Sequence, residues 1–258
     1  MTLSDTLRFR LLAAASHLAI SALIAAAVGV VTLGIWYPGA IGHMAGGRKL
    51  FFLILGVDVV MGPLLTLVVF DKRKPRRELI RDLVVIATLQ LAALGYGLHT
   101  LCVARPVALV HEPGRFRVLT AQDVQVDDLP NAREEFRRLS LTGPLILGSR
   151  PTRTEEKLES LELALKGFDI GQRPSRWQPY AESRALVLSE SRPLDELFKR
   201  YPTRAAELQA VLAELKLTPE QARYLPVVAR GDWVVILNSL GDIAGYAPFD
   251  GFRSEERR

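Results

Sequence analysis

Residues 50–77, LFFLILGVDVVMGPLLTLVVFDKRKPRR, place an ionisable carboxylate and a helix breaker inside an apolar run. A charged side chain near a bilayer centre costs roughly 2.5–3.5 kcal/mol on insertion scales, so Asp58 is expected to face other helices rather than lipid. Pro63, five positions on, removes one backbone donor and displaces the carbonyl of Val59 one turn back, while Gly62 adds a flexible point. Three chemistries fit this pattern: a hydrogen bond that locks helices together, a polar groove that receives a helix of another protein, or passage of protons or ions. Three helices with one carboxylate make a poor transporter. Catalysis has little to draw on elsewhere. His111 is the one histidine after residue 104, Cys102 is the one cysteine, and no G-x-S-x-G elbow accompanies any serine. The chain has no C-x-x-C, H-E-x-x-H or EF-hand spacing, no Walker loop and no dinucleotide fingerprint. Glu155 and Glu156 fall at the start of an expected helix, where carboxylates suit the positive dipole end. The glycines of GDIAGYAPFDG read as turns. No enzyme, cofactor or metal is expected.

The elements that must position Asp58 are helices. The chain has 258 residues, 49% of them hydrophobic, and nearly all the long apolar runs lie before residue 104. Three runs, at about residues 11–35, 50–70 and 83–103, reach the roughly 20 residues that a bilayer requires. The first is too long for a signal-peptide core and is read as an uncleaved helix. Lys and Arg crowd the N-terminal tail and the loop DKRKPRRELIRD, against only Arg48 and Lys49 in the first loop. Tail and second loop are therefore expected on the cytoplasmic side, and everything after residue 104 on the opposite side, the periplasm for a bacterial inner membrane. The net charge of +5 is thus a topology signal, and nucleic acid is not an expected partner. Counted from the cytoplasmic ends at about 1.5 Å per residue, Asp58 lies roughly 18 Å deep and Tyr96 roughly 20 Å. Tyr96 is the depth-matched partner within the chain, with Gln90 nearer the cytoplasmic side. Trp36 and Tyr37 read as anchors at the membrane interface.

The expected architecture is an integral membrane three-helix N-terminal region, residues 1–104, followed by an exported α+β domain, residues 105–258. At about 155 residues the second part can bury a sufficient core without a disulfide. RPVALVHE and RFRVLTA, separated by Pro-Gly, predict a hairpin. DDLPNAREEFRRLS predicts a helix, GPLILGS a buried strand, and TRTEEKLESLELALKG a helix with leucines at 158, 161 and 165. Further helices are expected at RPLDELFKRY and TRAAELQAVLAELK, then a strand meander through RYLPVVAR, DWVVILN and DIAGYAPF. Strands segregated to both ends argue against a doubly wound parallel sheet.

The succession WYPG, LGVDVVMGPLLTLVVF, LQLAALGYGLHT, ARPVALV and RFRVLTAQDV resembles the TfpX/TfpZ family of type IV pilin accessory proteins. The likeness is specific over the first 120 or so residues. It is looser beyond, through GP at 143–144, WQPY at 177–180 and the terminal YLPVVARGDWVVILNSLGDIAGYAPFDGF. It implies an inner-membrane helper of type IV pilus biogenesis, with the lipid bilayer, the major pilin and the pilus assembly machinery as partners. A pilin presents one membrane helix and a globular head, so two weak contacts would act together by avidity. On that reading Asp58, Gly62, Pro63, Gln90 and Tyr96 line a groove for the pilin helix, which in that family carries a buried glutamate near its N-terminus. Trp233 and Tyr246 mark the contact with the head, through an exposed strand edge. Aromatic residues there equally suit a core. The alternative is a membrane-anchored periplasmic sensor or binding protein, which would need a cytoplasmic output domain where only about a dozen residues are available. A pilin-modifying transferase would be expected to carry paired carboxylates in an exported loop, and WYPGAIGHMAGGRK has neither Asp nor Glu.

Overall fold

The computed structural model describes residues 3–152, 156, 158, 161, 165 and 167–253. They form two compact units, one of residues up to Tyr37 together with Gly46–Ala104, the other of Pro38–Ala45 together with the residues from Arg105 onward.

The first unit is three long apolar helices. α1, Leu3–Val31, runs on through a π turn at Thr32–Trp36 until Pro38 stops it. The second long helix, Gly47–Val69, starts after Gly46, whose φ of 75° needs a residue without Cβ, and passes through Pro63. The third, Arg76–Val103, begins directly after Pro75, so it takes in the basic residues expected to lie in the loop. All three have the length and composition to cross a membrane. Side chains such as Leu23, Val30, Leu53, Val68 and Leu91 are exposed, as a helix that meets lipid requires. Glycines set the contacts: a Cβ on Gly97 would stand 2.3 Å from Ile54 Cγ2, and one on Gly29 would stand 3.1 Å from the Phe51 ring. His17 Nδ1 lies 2.6 Å from the buried Thr66 hydroxyl.

Tyr37 corrects an expectation. It is only 3% exposed, its ring covers Gly47, and its hydroxyl donates to the Leu101 carbonyl oxygen at 2.9 Å. It is a packing residue inside the helical unit, not an anchor in a lipid headgroup layer.

In the second unit a short helix α2, Gly39–Met44, accompanies an eight-stranded mixed sheet. With the long helices above numbered α3 and α4, the strands are β1 Pro106–Glu112, β2 Arg115–Thr120, β3 Leu145–Ser149, β4 Trp177–Pro179, β5 Arg192–Pro193, β6 Arg223–Val228, β7 Trp233–Leu237 and β8 Ile243–Ala247. The sheet order is β4-β3-β1-β2-β6-β7-β8, and β5 pairs with β6. The hairpin β1–β2 forms at Pro113-Gly114 as the sequence predicts. It joins the terminal meander through a parallel β2–β6 pairing, so hairpin and meander share one sheet. β3 lies parallel to β1. Helices α5 Tyr180–Glu190, α6 Asp195–Arg200 and α7 Ala205–Leu215 complete the unit.

Two cores result. Leu194, Leu197, Leu208 and Leu212 from α6, α7 and the residue before α6 cover Tyr224, Val234, Ile236 and Ala247. Phe136, Val124 and Trp177 close over Val110, Leu119 and Leu147. The helix expected over residues 127–140 is instead two 3₁₀ turns, Val126–Asn131 and Glu134–Phe136, because Pro130 cannot donate within a longer helix. The helix expected at 152–167 falls mostly outside the described residues; Leu158, Leu161 and Leu165 are helical and exposed. Glu156, read as a dipole partner, pairs with Arg150 at 2.8 Å and Arg176 at 2.7 Å. The buried Glu112 accepts from Arg115 Nε, Arg117 Nε and the Gly171 amide, tying the hairpin to the loop at 169–172.

Candidate functional site

Of the residues singled out in the apolar half, Asp58 and Gln90 line one cleft between α3 and α4, and Pro63 and Tyr96 do not. On α3, Ile54, Asp58, Met61 and Leu65 recur at helical spacing, and on α4 so do Gln90, Ala93 and Leu94. Together with Val57 and Leu89 they bound a cleft of about 180 Å³ whose walls are almost wholly apolar. Its polar groups are the Asp58 carboxylate and the Gln90 amide.

Gln90 holds the cleft together. Its Nε2 donates to the main-chain oxygen of Asp58 at 3.3 Å, one residue before the Val59 carbonyl whose helical donor Pro63 removes. It fits there because Gly62 is bare: a Cβ at that position would lie 2.0 Å from the Gln90 nitrogen. The glycine expected to supply flexibility thus supplies room. The Asp58 carboxylate makes no hydrogen bond among the described residues, and neither does the Tyr96 hydroxyl.

Tyr96 does not join the cleft. It is 75% exposed. Its depth matches that of Asp58, but it stands six residues beyond Gln90, which at 3.6 residues per turn turns it about 120° round the helix. Depth alone pointed to Tyr96; the spacing of Gln90, Ala93, Leu94 and Gly97 as i, i+3, i+4 and i+7 is the signal that marks the true facing side.

At one end of the same unit the basic loop is ordered by carboxylates. Asp71 accepts from Arg73 Nη2 at 2.7 Å, from the Arg73 amide at 2.9 Å and from Arg10 Nη2 at 3.2 Å. The Arg73 hydrogen bonds hold its carboxyl well below the usual carboxylate range. Lys74 Nζ bridges Asp82 at 2.8 Å and the Val69 carbonyl at 3.1 Å, while Lys72 stands 3.4 Å over the Phe9 ring.

In the second unit, Trp233 and Tyr246 come to one face of the sheet. Trp233 and Val235 alternate with the core residues Val234 and Ile236, and Tyr246 pairs with Val235. Both aromatics are half-buried. Burial pushes the Tyr246 hydroxyl up to about 12, so it stays protonated. β8, which carries Tyr246, ends the sheet and pairs on one side only among the described residues. His111 is fully buried beside Phe116, with Nε2 3.0 Å from Glu190 but poorly aligned for a hydrogen bond. Burial lowers its pKa, against the pull of Glu190. Among the described residues no cluster of three His, Cys, Asp or Glu side chains forms that could hold a metal ion.

Residues 5–40 match the family model described as fimbrial assembly protein FimB. The fimbrial assembly protein, serogroup I, of Dichelobacter nodosus is 36% identical over 240 residues, covering 92% of this chain and 93% of the relative. The serogroup E1 protein of the same organism is 35% identical over the same shares. That of serogroups C1 and C2 is 40% identical over 116 residues, 45% of this chain and 88% of that relative. No solved structure matches the chain.

Proposed function

The chain belongs to the fimbrial assembly protein family, and from that premise we propose that it is an inner-membrane accessory protein of the TfpX/TfpZ kind that holds or delivers type IV pilin subunits during pilus biogenesis. The observation that carries this reading is the match along 92% of the chain to a fimbrial assembly protein, which takes in the helical unit and the sheet together. The three long apolar helices support membrane insertion, and the basic cluster at one end supports a cytoplasmic N-terminus with residues 105–258 as a periplasmic domain. The role is a non-catalytic one.

The pilin helix docks along the α3–α4 cleft, where the Asp58 carboxylate and the Gln90 amide oxygen offer acceptors among apolar walls. Tyr96, exposed on the flank of α4, meets the same helix from outside the cleft. The free edge of β8, with Tyr246 and Trp233 on one face, takes the globular head by strand addition. Two modest contacts on one subunit act together through effective concentration.

Deleting the gene in its native host, with complementation, tests the role. Normal pilin with few surface pili means assembly, and depleted pilin means stabilisation of the subunit. Unchanged pilin and pili, with one pilin gene expressed, overturns the reading. Asp58→Leu tests the cleft: loss of pili at a normal level of the protein is expected, whereas unchanged pili dismiss the cleft. Photocrosslinkers along β8 should capture pilin, and failure at every position removes the edge from the contact.

A further inference from the structure

We propose that the basic end of the three-helix unit is a binding surface for the headgroups of anionic phospholipids. The proposal rests on the membrane reading above and is independent of pilin. Residues 5–10 and 71–82 bring eight Lys and Arg together, against four acidic residues, Asp5, Asp71, Glu78 and Asp82. The ion pairs sort these cations. Asp71 engages Arg10 and Arg73, Asp82 engages Lys74, with Arg81 at 3.6 Å, and Lys72 covers Phe9. Arg8, Arg76 and Arg77 are exposed and have no hydrogen-bond or ion-pair partner among the described residues.

A loop that served only to keep its side of the membrane would need charge and no particular shape. Here the carboxylates spend some cations in fixing the shape and leave three guanidiniums outward. Each is a planar fork matched to a phosphate. They lie where apolar helix gives way to polar chain, at Arg8 on α1 and at Arg76 and Arg77 where α4 begins. That is the level at which the phosphodiesters of a bilayer lie. The ligand is therefore the phosphate of an anionic lipid still attached to its chains, held by charge above and by the apolar helix surface below.

The full chain, purified in neutral detergent, would be titrated with phosphatidylglycerol, phosphatidylcholine and inorganic phosphate. Lipid adducts would be read by native mass spectrometry and the thermal midpoint by unfolding. Phosphatidylglycerol should bind in preference to phosphatidylcholine and raise the midpoint, with inorganic phosphate inert. R76Q/R77Q should lower that affinity about tenfold or more, Arg8→Gln should lower it less, and Lys49→Gln, at the start of α3, should leave it unchanged. Equal binding of both lipids, full selectivity in R76Q/R77Q, or equal protection by inorganic phosphate would overturn the proposal. Release of the chain from membranes by alkaline carbonate would sink the membrane reading itself. Firm insertion without anionic preference would sink this proposal alone.

Discussion

The Gln90 amide nitrogen reaches the Asp58 main-chain oxygen because residue 62 has no Cβ, while Gly97 lets the β-branched Ile54 approach the same helix pair. The two glycines should differ in what they tolerate. A Gly62→Ala Cβ meets the far end of a flexible amide, which can swing away, so the cost is the lost hydrogen bond, about 1 kcal/mol. A Gly97→Ala Cβ meets Ile54 Cγ2 at 2.3 Å, close to its backbone, so overpacking should cost about 1–3 kcal/mol. Thermal unfolding of the two variants in detergent checks the order, and a larger loss for Gly62→Ala would contradict it. His111 gives the second test at this scale. Burial lowers its pKa below the ordinary 6.5, so the unfolded chain takes up its proton first as the pH falls. The contribution is therefore complete above about pH 6.5 and lost progressively beneath it. The thermal midpoint of the second unit, followed through the fluorescence of a variant that keeps Trp177 and carries Phe at positions 36 and 233, should fall between pH 7.5 and 5 on the acid side, and less steeply when His111→Gln is added. Asp58 and Gly62 stand out in the sequence as an acid and a bare backbone in an apolar run, but that Gly62 makes room for Gln90 is visible only when two helices are compared. Tyr96 misled because depth can be counted along a helix while angular phase must be compared between two.

Among the elements, strong punctuation made boundaries legible. Pro113-Gly114 announces the β1–β2 hairpin, and α6 and α7 fall within the expected RPLDELFKRY and TRAAELQAVLAELK, whereas α4 starts directly after Pro75, inside the stretch expected to be loop. Where punctuation and pattern disagreed, pattern was the poorer guide: the charged stretch around Pro130 looks helical and forms 3₁₀ turns. α5 went unread because it buries only Ser183 and Val187, too narrow a stripe to register as amphipathic. The parallel β2–β6 pairing joins residues more than a hundred positions apart, and no local signal encodes it. The close of α1 and α4 rests on Tyr37. Tyr37→Phe keeps the ring over Gly47 and loses the bond to the Leu101 carbonyl, which should cost about 1 kcal/mol. Tyr37→Ala empties the site and should cost about 3–5 kcal/mol. Equal losses from the two variants, by thermal unfolding of the first unit, would mean that the hydroxyl carries the whole effect.

At the scale of the molecule, the division into a helical unit and a sheet unit is legible in hydropathy alone, except for one segment. Pro38–Ala45, expected in the membrane half, belongs to the sheet unit. Met44 there is fully buried, and its carbonyl accepts from the Arg230 amide at 2.8 Å. Met44→Ala should therefore lower the stability of the sheet unit by about 2–5 kcal/mol, measured by the same Trp177 signal. A loss confined to the helical unit would contradict the assignment.

That inserted segment also fixes an order of events during synthesis. At roughly 5–20 residues per second, about 10–40 s separate the manufacture of Met44 from that of Arg230. For that interval α2 has been made and the β6–β7 turn that carries Arg230 has not. The contact between α2 and the rest of the sheet unit is therefore made only after the β6–β7 turn has been synthesised. A nascent chain arrested before Arg230 should expose Met44 to alkylation or oxidation, and the released protein should protect it.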